Sequence, residues 1–372
     1  MKRSSGSGSL FREWPLLVSV ATLGILFAAP GVVTPLLGSS VLLVLFLLLL
    51  CGVILAEAVA IVRHAEALAH HLGEPFGTLL LTLAITGLEV LMVAFVMSTG
   101  DPKPALARDT MYSVVMLVLN GFLGLALLLG ALRHQQQRFN LQSANSFLAM
   151  IMPMTVLALV IPTFTRSTSG PTLTHSQMAL LSLLSIGIYG VFLVFQNRLH
   201  REFFIDAEAS ATAGGHSGHA TESGSPWKHG MFLVLYGIPL VLLAKQMAKP
   251  LDLLVSRLGA PSALGGLVMA ILVLTPESIA AIRAAWHNQL QRSVNILLGS
   301  VLASIGLTVP LVIAVSLATG RELLLGLDAP EIAMLALTLV TSMLTLSLPR
   351  TNLLLGAVHL LLFGAFLMLV FD

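Results

Sequence analysis

Two glutamates, Glu89 and Glu277, stand within long apolar stretches of the sequence. Each follows a glycine by twelve residues, in GTLLLTLAITGLEVLMV from Gly77 and in GGLVMAILVLTPESIAA from Gly265. Because a carboxylate in hydrocarbon costs at least about 2.5 kcal/mol, acids at this depth are candidates for a function inside a helix bundle. The matched spacing predicts that the two carboxylates share one site, which binds a metal cation or protons.

Paired carboxylates in one partly dehydrated site repel each other until protons or a cation neutralise them. Cation binding therefore expels protons, and proton binding expels the cation. If each loaded form opens to either side of a membrane, the pair exchanges cations for protons without further machinery. The alternative for a single intramembrane glutamate is to stay protonated and hydrogen-bond a neighbouring helix. Two glutamates in equivalent positions favour exchange.

Hydroxyl and amide side chains accompany the acids at helical spacing. Thr82, Thr86 and Glu89 fall at i, i+4 and i+7, which places their oxygens on one face of a helix. Further along the chain, Ser300 and Ser304 lie one helical turn apart. Packing between membrane helices is the alternative role for any one of these small polar residues. The predicted supporting residues are Thr82, Thr86, Ser113, Asn120, Thr275, Ser300 and Ser304.

The residues just before the acids predict an interrupted or distorted helix at both positions. Pro276 immediately precedes Glu277, and Gly87 lies two residues before Glu89. A proline leaves a carbonyl without a partner in the preceding turn, and such carbonyls are good ligands for hard cations. The alternative is a simple kink.

Composition shows which elements must position these residues. Of 372 residues, 56% are hydrophobic and 10% are charged, whereas soluble domains carry roughly 25% charged residues. A net charge of +2 with scattered basic residues excludes a nucleic-acid surface. Apolar runs of about 20 residues, the length that crosses a bilayer, recur along the chain. We predict an all-α polytopic membrane protein with about 11 transmembrane helices.

The predicted spans leave Glu89 and Glu277 as the two acids well inside a helix, with every other acid at a span end or in a loop. The spans are Pro15–Val33, Leu37–Ile61, Phe76–Ser98, Thr110–Leu132, Phe147–Phe164, Met178–Phe195, His229–Met247, Ala263–Ile282, Val294–Ala318, Ile332–Leu348 and Asn352–Val370.

A polar segment divides these spans into two sets. Residues 197–228 are rich in Gly, Ser and His and predict a flexible cytoplasmic linker, with a loose metal or pH sensor at its histidines as the alternative. We predict an N-terminal tail and first helix (1–35), a first five-helix repeat (36–196), the linker, and a second five-helix repeat (229–372). The two glutamates lie on the third and eighth spans, which run in opposite directions because they are five apart, so the repeats are inverted, a recurrent build of secondary transporters.

The distribution of basic residues predicts the orientation. With a cytoplasmic N-terminus, the cytoplasmic segments hold twelve Lys and Arg residues and the opposite segments hold seven. Because positive charge is retained in the cytoplasm, we predict a bacterial inner-membrane protein with its N-terminus inside and its C-terminus in the periplasm.

At these residues the sequence resembles the calcium/cation antiporter superfamily, and within it the bacterial ChaA-type cation/proton antiporters. The resemblance implies that Glu89 and Glu277 are the repeat acids that bind the exchanged cation and protons, and that the helices with Asn120, Ser300 and Ser304 complete the site. It also implies one leading helix before the two repeats. The matching segments are VRHAEALAHHLGEPFGTL from Val62, ARDTMYSVVM from Ala107, LTPESIAAI from Leu274, NQLQRSVNILLGSVLASIGLTVP from Asn288 and RTNLLLGAVHL from Arg350.

The sequence departs from this family in the residues before the acids. Many calcium/proton exchangers carry Gly-Asn there, whereas here Glu89 follows Ile-Thr-Gly-Leu and Glu277 follows Val-Leu-Thr-Pro. Two amide oxygens that a calcium ion, with six to eight oxygen ligands, would use are thus missing. The departure therefore bears on calcium selectivity and not on exchange itself.

We expect an antiporter that exports Ca²⁺, with Na⁺ or K⁺ as further substrates, in exchange for protons. Its partners are then inorganic cations, protons and the lipid bilayer, with no cofactor and no nucleic acid. One alternative is a cation channel without proton coupling. The other is an intramembrane enzyme, against which the sequence offers no His-Glu-x-x-His segment.

Overall fold

The computed structural model describes residues 12–28, 30–72, 76–98, 103–168, 170–199, 203–204, 225–261, 263–348 and 350–371. Within these ranges the chain is almost wholly helical, as a bilayer requires of a segment that must satisfy its own backbone hydrogen bonds. The helices are α1 (Trp14–Ala28), α2 (Pro30–Gly38), α3 (Ser40–Leu72), α4 (Phe76–Ser98), α5 (Leu106–His134), α6 (Leu141–Phe164), α7 (His175–Val194), α8 (Pro226–Leu258), α9 (Ala263–Trp286), α10 (Leu290–Thr319), α11 (Ala329–Leu346) and α12 (Leu353–Val370).

Nine of the helices in the described ranges, α3 and α5 to α12, are long and apolar enough to cross a membrane. Helix α1 and the segment Leu83–Met97 of α4 are apolar but shorter. The predicted fold class is therefore confirmed, whereas the count of eleven spans stays a prediction. Most of the predicted linker, including residues 205–224, lies outside the described residues, and the division into two repeats also stays a prediction.

Several helices extend beyond the predicted spans. Helix α3 begins at Ser40, after a bend at Ser39, and continues to Leu72 rather than ending at Ile61. The prediction ended the span because Arg63 follows, but a helix can leave the apolar layer without losing its backbone hydrogen bonds. Helix α8 likewise runs through Pro239 and Pro250.

Helices α5 and α10 form the centre of the bundle. In the 18-residue apolar stretch of each helix, 78% of the residues of α5 and 72% of those of α10 are buried inside the protein, against 28% for α12. Helix α4 packs against α10, and α9 packs against α5. These two contacts correspond to each other under the predicted repeat.

Two local features modify the helices. Helix α5 contains a π-helical segment, Leu117–Phe122, and α6 contains another, Val156–Val160. The two-residue strand β1 (Gln137–Arg138) pairs antiparallel with β2 (Arg350–Thr351), with Gln137 opposite Thr351. This pairing ties the connection after α5 to the connection before α12.

Candidate functional site

The two predicted acids converge on one turn of α10. Ser304 Oγ donates a hydrogen bond to Glu89 Oε2 over 2.6 Å, and Ser300 Oγ donates to Glu277 Oε2 over 2.5 Å. The two serines lie one helical turn apart, a rise of about 6 Å along the helix axis. Carboxylates from α4 and α9 are therefore held next to each other by a single helix.

The site lies in the protein interior. Glu89 is 4% exposed and Ser304 is fully buried, while Ser300 and Glu277 lie slightly nearer to open space. The carboxylates are close enough for the charge of Glu277 to act on Glu89. Since like charges repel strongly where water is scarce, such a pair favours neutralisation by a cation or by protons.

Small residues bring the helices together around the site. On α10, Ala303 immediately precedes Ser304, and Gly306 lies two residues after it. On α9, a Cβ atom at Gly266 would lie 2.7 Å from the carbonyl carbon of Asp109 and 2.8 Å from the amide nitrogen of Thr110 on α5. Glycine therefore allows α9 to contact the backbone of α5, as small residues do in membrane bundles.

A small cavity borders Glu89 between α3, α4, α8 and α9. Its volume is about 30 Å³, enough for one or two water molecules. Leu272 and Pro276 on α9 line it together with Ala58 on α3. Because Pro276 has no N–H, it cannot donate to the carbonyl of Leu272 one turn earlier.

The expected interruption of the two acid-bearing helices is not found. Helix α9 continues through Pro276, and α4 continues through Gly87. A proline removes one backbone hydrogen bond of its helix, and packing against neighbouring helices can keep the rest of the helix intact. The departure from regular α-helix occurs instead in the π-helical segment of α5.

The remaining predicted supporting residues fall at varied distances from the acids. Thr86 is 3% exposed and lies three residues before Glu89 on α4, whereas the side chain of Thr82 lies outside the described part of the structure. Ser113 is buried on α5, and the hydroxyl of Thr275 donates to a carbonyl of its own helix over 2.5 Å. The structure thus brings Ser300 and Ser304 to the carboxylates by direct hydrogen bonds.

Asn120 belongs to a second buried polar cluster. Its Nδ2 donates to Thr338 Oγ1 on α11 over 2.8 Å, and its Oδ1 lies 3.4 Å from His359 Nδ1 on α12. His359 Nε2 is 3.0 Å from Thr345 Oγ1. Asn120 lies in the π-helical segment of α5, a form that often marks functional positions. Its predicted role at the glutamates stays a prediction.

The expectation that buried acids are confined to the glutamate pair is wrong. Glu57 is fully buried near the middle of α3. The predicted span ended at Ile61, which assigned Glu57 to a helix end, whereas α3 continues eleven residues further. The helical period that runs from Glu57 through His64 to His71, in steps of seven, is the signal that could have extended the helix.

Comparison with known proteins identifies the family of this chain. Residues 40–197 and 228–371 match the family model described as sodium/calcium exchanger protein. The chain belongs to this family. It is also 38% identical to the sodium-potassium/proton antiporter ChaA of Escherichia coli (strain K12), over 97% of this chain and 96% of the relative. The resemblance inferred from the motifs is confirmed.

Solved structures of two other ion exchangers share the fold. Native YfkE, a Ca²⁺/H⁺ antiporter, superposes with a TM-score of 0.73 at 19% identity, over 96% of this chain and 99% of that chain. The H⁺/Ca²⁺ exchanger CAX gives a TM-score of 0.63 at 15% identity, over 96% and 88%. The chain is therefore a multi-pass membrane protein of an ion antiporter family whose characterised relatives are transporters.

Proposed function

We propose that the chain is a secondary active cation/proton antiporter in which Glu89 and Glu277 bind a cation or protons in alternation. The observation that supports this most directly is the convergence of both carboxylates on Ser300 and Ser304 of α10, inside the bundle. A buried pair of acids needs a neutralising partner, and the two candidate partners compete for the same oxygens.

The serine hydroxyls can hydrogen-bond the carboxyl groups in both the cation-bound and the protonated form. Each hydroxyl donates to an ionised carboxylate, as in the described geometry, and can accept from a protonated carboxyl after rotation about its C–O bond. Helix α10 can therefore hydrogen-bond both acids whether they are ionised or protonated. A cation between the carboxylates would take their oxygens as ligands.

We further propose that Na⁺ and K⁺ are substrates beside Ca²⁺. The two carboxylates and two hydroxyls offer no more than the lower end of the six to eight oxygens that calcium takes, so the site is not specialised for calcium. The name of the 38% identical relative, a sodium-potassium/proton antiporter, supports the monovalent ions. An inward proton gradient would drive their export across the bacterial inner membrane, with the N-terminus in the cytoplasm and the C-terminus in the periplasm.

The test is transport by the purified full chain in vesicles that contain a pH-sensitive dye and carry an imposed proton gradient. Ca²⁺, Na⁺ or K⁺ is added outside to wild type, Glu89→Gln and Glu277→Gln. Glu66→Gln is the matched control, because it removes the same charge from an exposed position of α3. We expect proton movement that depends on a cation in wild type and the control and is lost in both site variants.

Two outcomes would contradict the proposal. Normal exchange by both site variants would show that the glutamates are not the exchange site. Cation movement without proton movement in wild type would replace antiport with channel conduction.

A further inference from the structure

A third carboxyl group is buried in the bundle outside the site. Glu57 on α3 is fully buried, and neither of its carboxyl oxygens has a hydrogen-bonding partner among the described residues. Ser19 on α1 is also fully buried and close enough to act on Glu57, but its hydroxyl donates to the carbonyl of Leu16 over 2.9 Å. No charged side chain in the described ranges acts on Glu57.

The lack of partners indicates the protonation state of Glu57. An unpaired carboxylate in an apolar interior costs several kcal/mol, and a buried group avoids that cost by neutralising itself. Glu57 therefore holds a proton in the described conformation. A structural role would normally leave a buried polar group hydrogen-bonded, and Glu57 is not.

Histidines continue from Glu57 towards the end of α3. His64 and His71 follow at intervals of seven residues, so all three side chains lie along one face of the helix. His229 on α8 lies between the two histidines: its ring centroid is 5.2 Å from that of His64 and 6.0 Å from that of His71. We call Glu57, His64, His71 and His229 the α3 column.

Hydrogen bonds link the column in a way that suits proton passage. His64 Nδ1 and His229 Nδ1 are 3.0 Å apart, so one ring donates to the other. His229 Nε2 is buried and has no partner in the described structure, while His71 is exposed. A proton taken up by His229 at Nε2 can release the Nδ1 proton to His64, which leaves the number of protons on His229 unchanged.

An anion lies beside His64. Glu13, just before α1, accepts from His64 Nε2 over 3.1 Å, from Tyr236 Oη over 2.6 Å and from Arg63 over 2.9 Å. Burial raises the pKa of Glu13, but the hydrogen bonds from Tyr236 and His64 and the Arg63 charge outweigh it, so the pKa lies below its usual value. These groups, with His229, are the titratable and charged neighbours of His64 from α1, α3 and α8.

We propose that Glu57 is a further proton-binding residue of the antiport cycle and that the α3 column connects it to the membrane surface. The proposal rests on the proton coupling proposed above. Glu57 gives up its proton towards His64, which releases one to His229, and the reverse steps return it; intervening water must bridge the about 10.5 Å of helix between Glu57 and His64. Ala58, the residue after Glu57, lines the cavity that borders Glu89.

The test compares Glu57→Gln with Glu66→Gln in the vesicle assay, over a range of pH. Glu57→Gln should slow proton-coupled exchange by about a hundredfold, the scale on which loss of a positioned proton carrier acts. Glu66→Gln removes an exposed charge from the same helix and should behave as wild type. Cation-induced thermal stabilisation should persist in Glu57→Gln, because the glutamate pair is intact.

A second variant separates proton carriage from a structural role. Glu57→Met fills the same buried space without a polar group, so it should unfold at or above the wild-type temperature yet exchange as slowly as Glu57→Gln. Infrared difference spectra between acidic and alkaline buffer should also lose one protonated carboxyl band in Glu57→Gln, whether or not the vesicles transport.

Unchanged exchange at every pH in Glu57→Gln, or an infrared spectrum that keeps all its carboxyl bands, would overturn the inference. Failure of wild type to move protons with any cation would instead contradict the proposed function.

Discussion

The contact between α9 and α5 at Gly266 offers a test of how the site is positioned. A Cβ atom there would meet the carbonyl carbon of Asp109 at 2.7 Å, whereas ordinary contacts begin near 3.4 Å. Gly266→Ala must therefore move α9 away from α5 by about 0.7 Å, and overpacking of this kind costs about 1–3 kcal/mol. Because both partners at the contact are backbone atoms, neither can rotate away.

The displacement should reach the site through the rigid helix. Glu277 lies eleven residues beyond Gly266 on the same face of α9, and its 2.5 Å hydrogen bond to Ser300 would lengthen past the usual limit of about 3.0 Å. Misplacement of a functional group by about 1 Å can cost a hundredfold in rate. We expect Gly266→Ala to lower the unfolding temperature and to slow exchange about ten- to hundredfold.

The adjacent glycine supplies the control. A Cβ atom at Gly265 meets nothing within 4 Å, so Gly265→Ala should exchange at the wild-type rate and gain about 0.5–1 kcal/mol of helix stability. The measurements are thermal unfolding in detergent and cation-dependent proton flux in vesicles. Equal stability and equal flux for the two alanine variants would refute the reasoning.

Three other perturbations have distinct expected outcomes. Ser304→Ala removes a hydrogen-bond donor to a buried carboxylate, worth about 1.5–3 kcal/mol, and should weaken the apparent cation affinity about ten- to hundredfold. The control is Thr319→Ala on the same helix, which removes an exposed hydroxyl and should leave the cation affinity unchanged. Asn120→Ala leaves buried groups of α11 and α12 unpaired and should lower the free energy of unfolding by about 1–3 kcal/mol. Loss of exchange with unchanged stability would instead indicate that Asn120 is a ligand of the transported cation. Because the folded-state pKa of Glu13 is lowered, its contribution to stability should be complete above the usual glutamate pKa and vanish as pH falls through the lowered value. The measurement is thermal unfolding of wild type and Glu13→Gln over a series of acidic pH values. A difference in unfolding temperature that did not shrink towards low pH would contradict this.

The sequence carried enough information to pair the acids but not to assign their partners. Glu89 and Glu277 could be paired because each follows a glycine by twelve residues in an apolar run. The periodicity also placed Ser300 and Ser304 on one face of a helix. Which serine meets which acid depends on how α4 and α9 approach α10, and side-chain spacing within one helix does not specify that approach.

Asn120 and Glu57 show two different limits of prediction. Asn120 was predicted to support the site beside the acids, yet its amide bonds to Thr338 on α11 rather than to an acid. The partners of a helix are set by the whole bundle, which the spacing along one helix does not specify. Glu57 was missed because hydropathy locates the apolar layer, whereas helices such as α3 continue beyond it.

The attachment of both glutamates to one turn of α10 has a mechanical consequence. A slide of α10 along its axis lengthens the bond from Ser304 to Glu89 and the bond from Ser300 to Glu277 together, because the two serines share one rigid backbone. A movement of α10 along its axis would therefore change the hydrogen bonding of both carboxylates, one on α4 and one on α9, at the same moment.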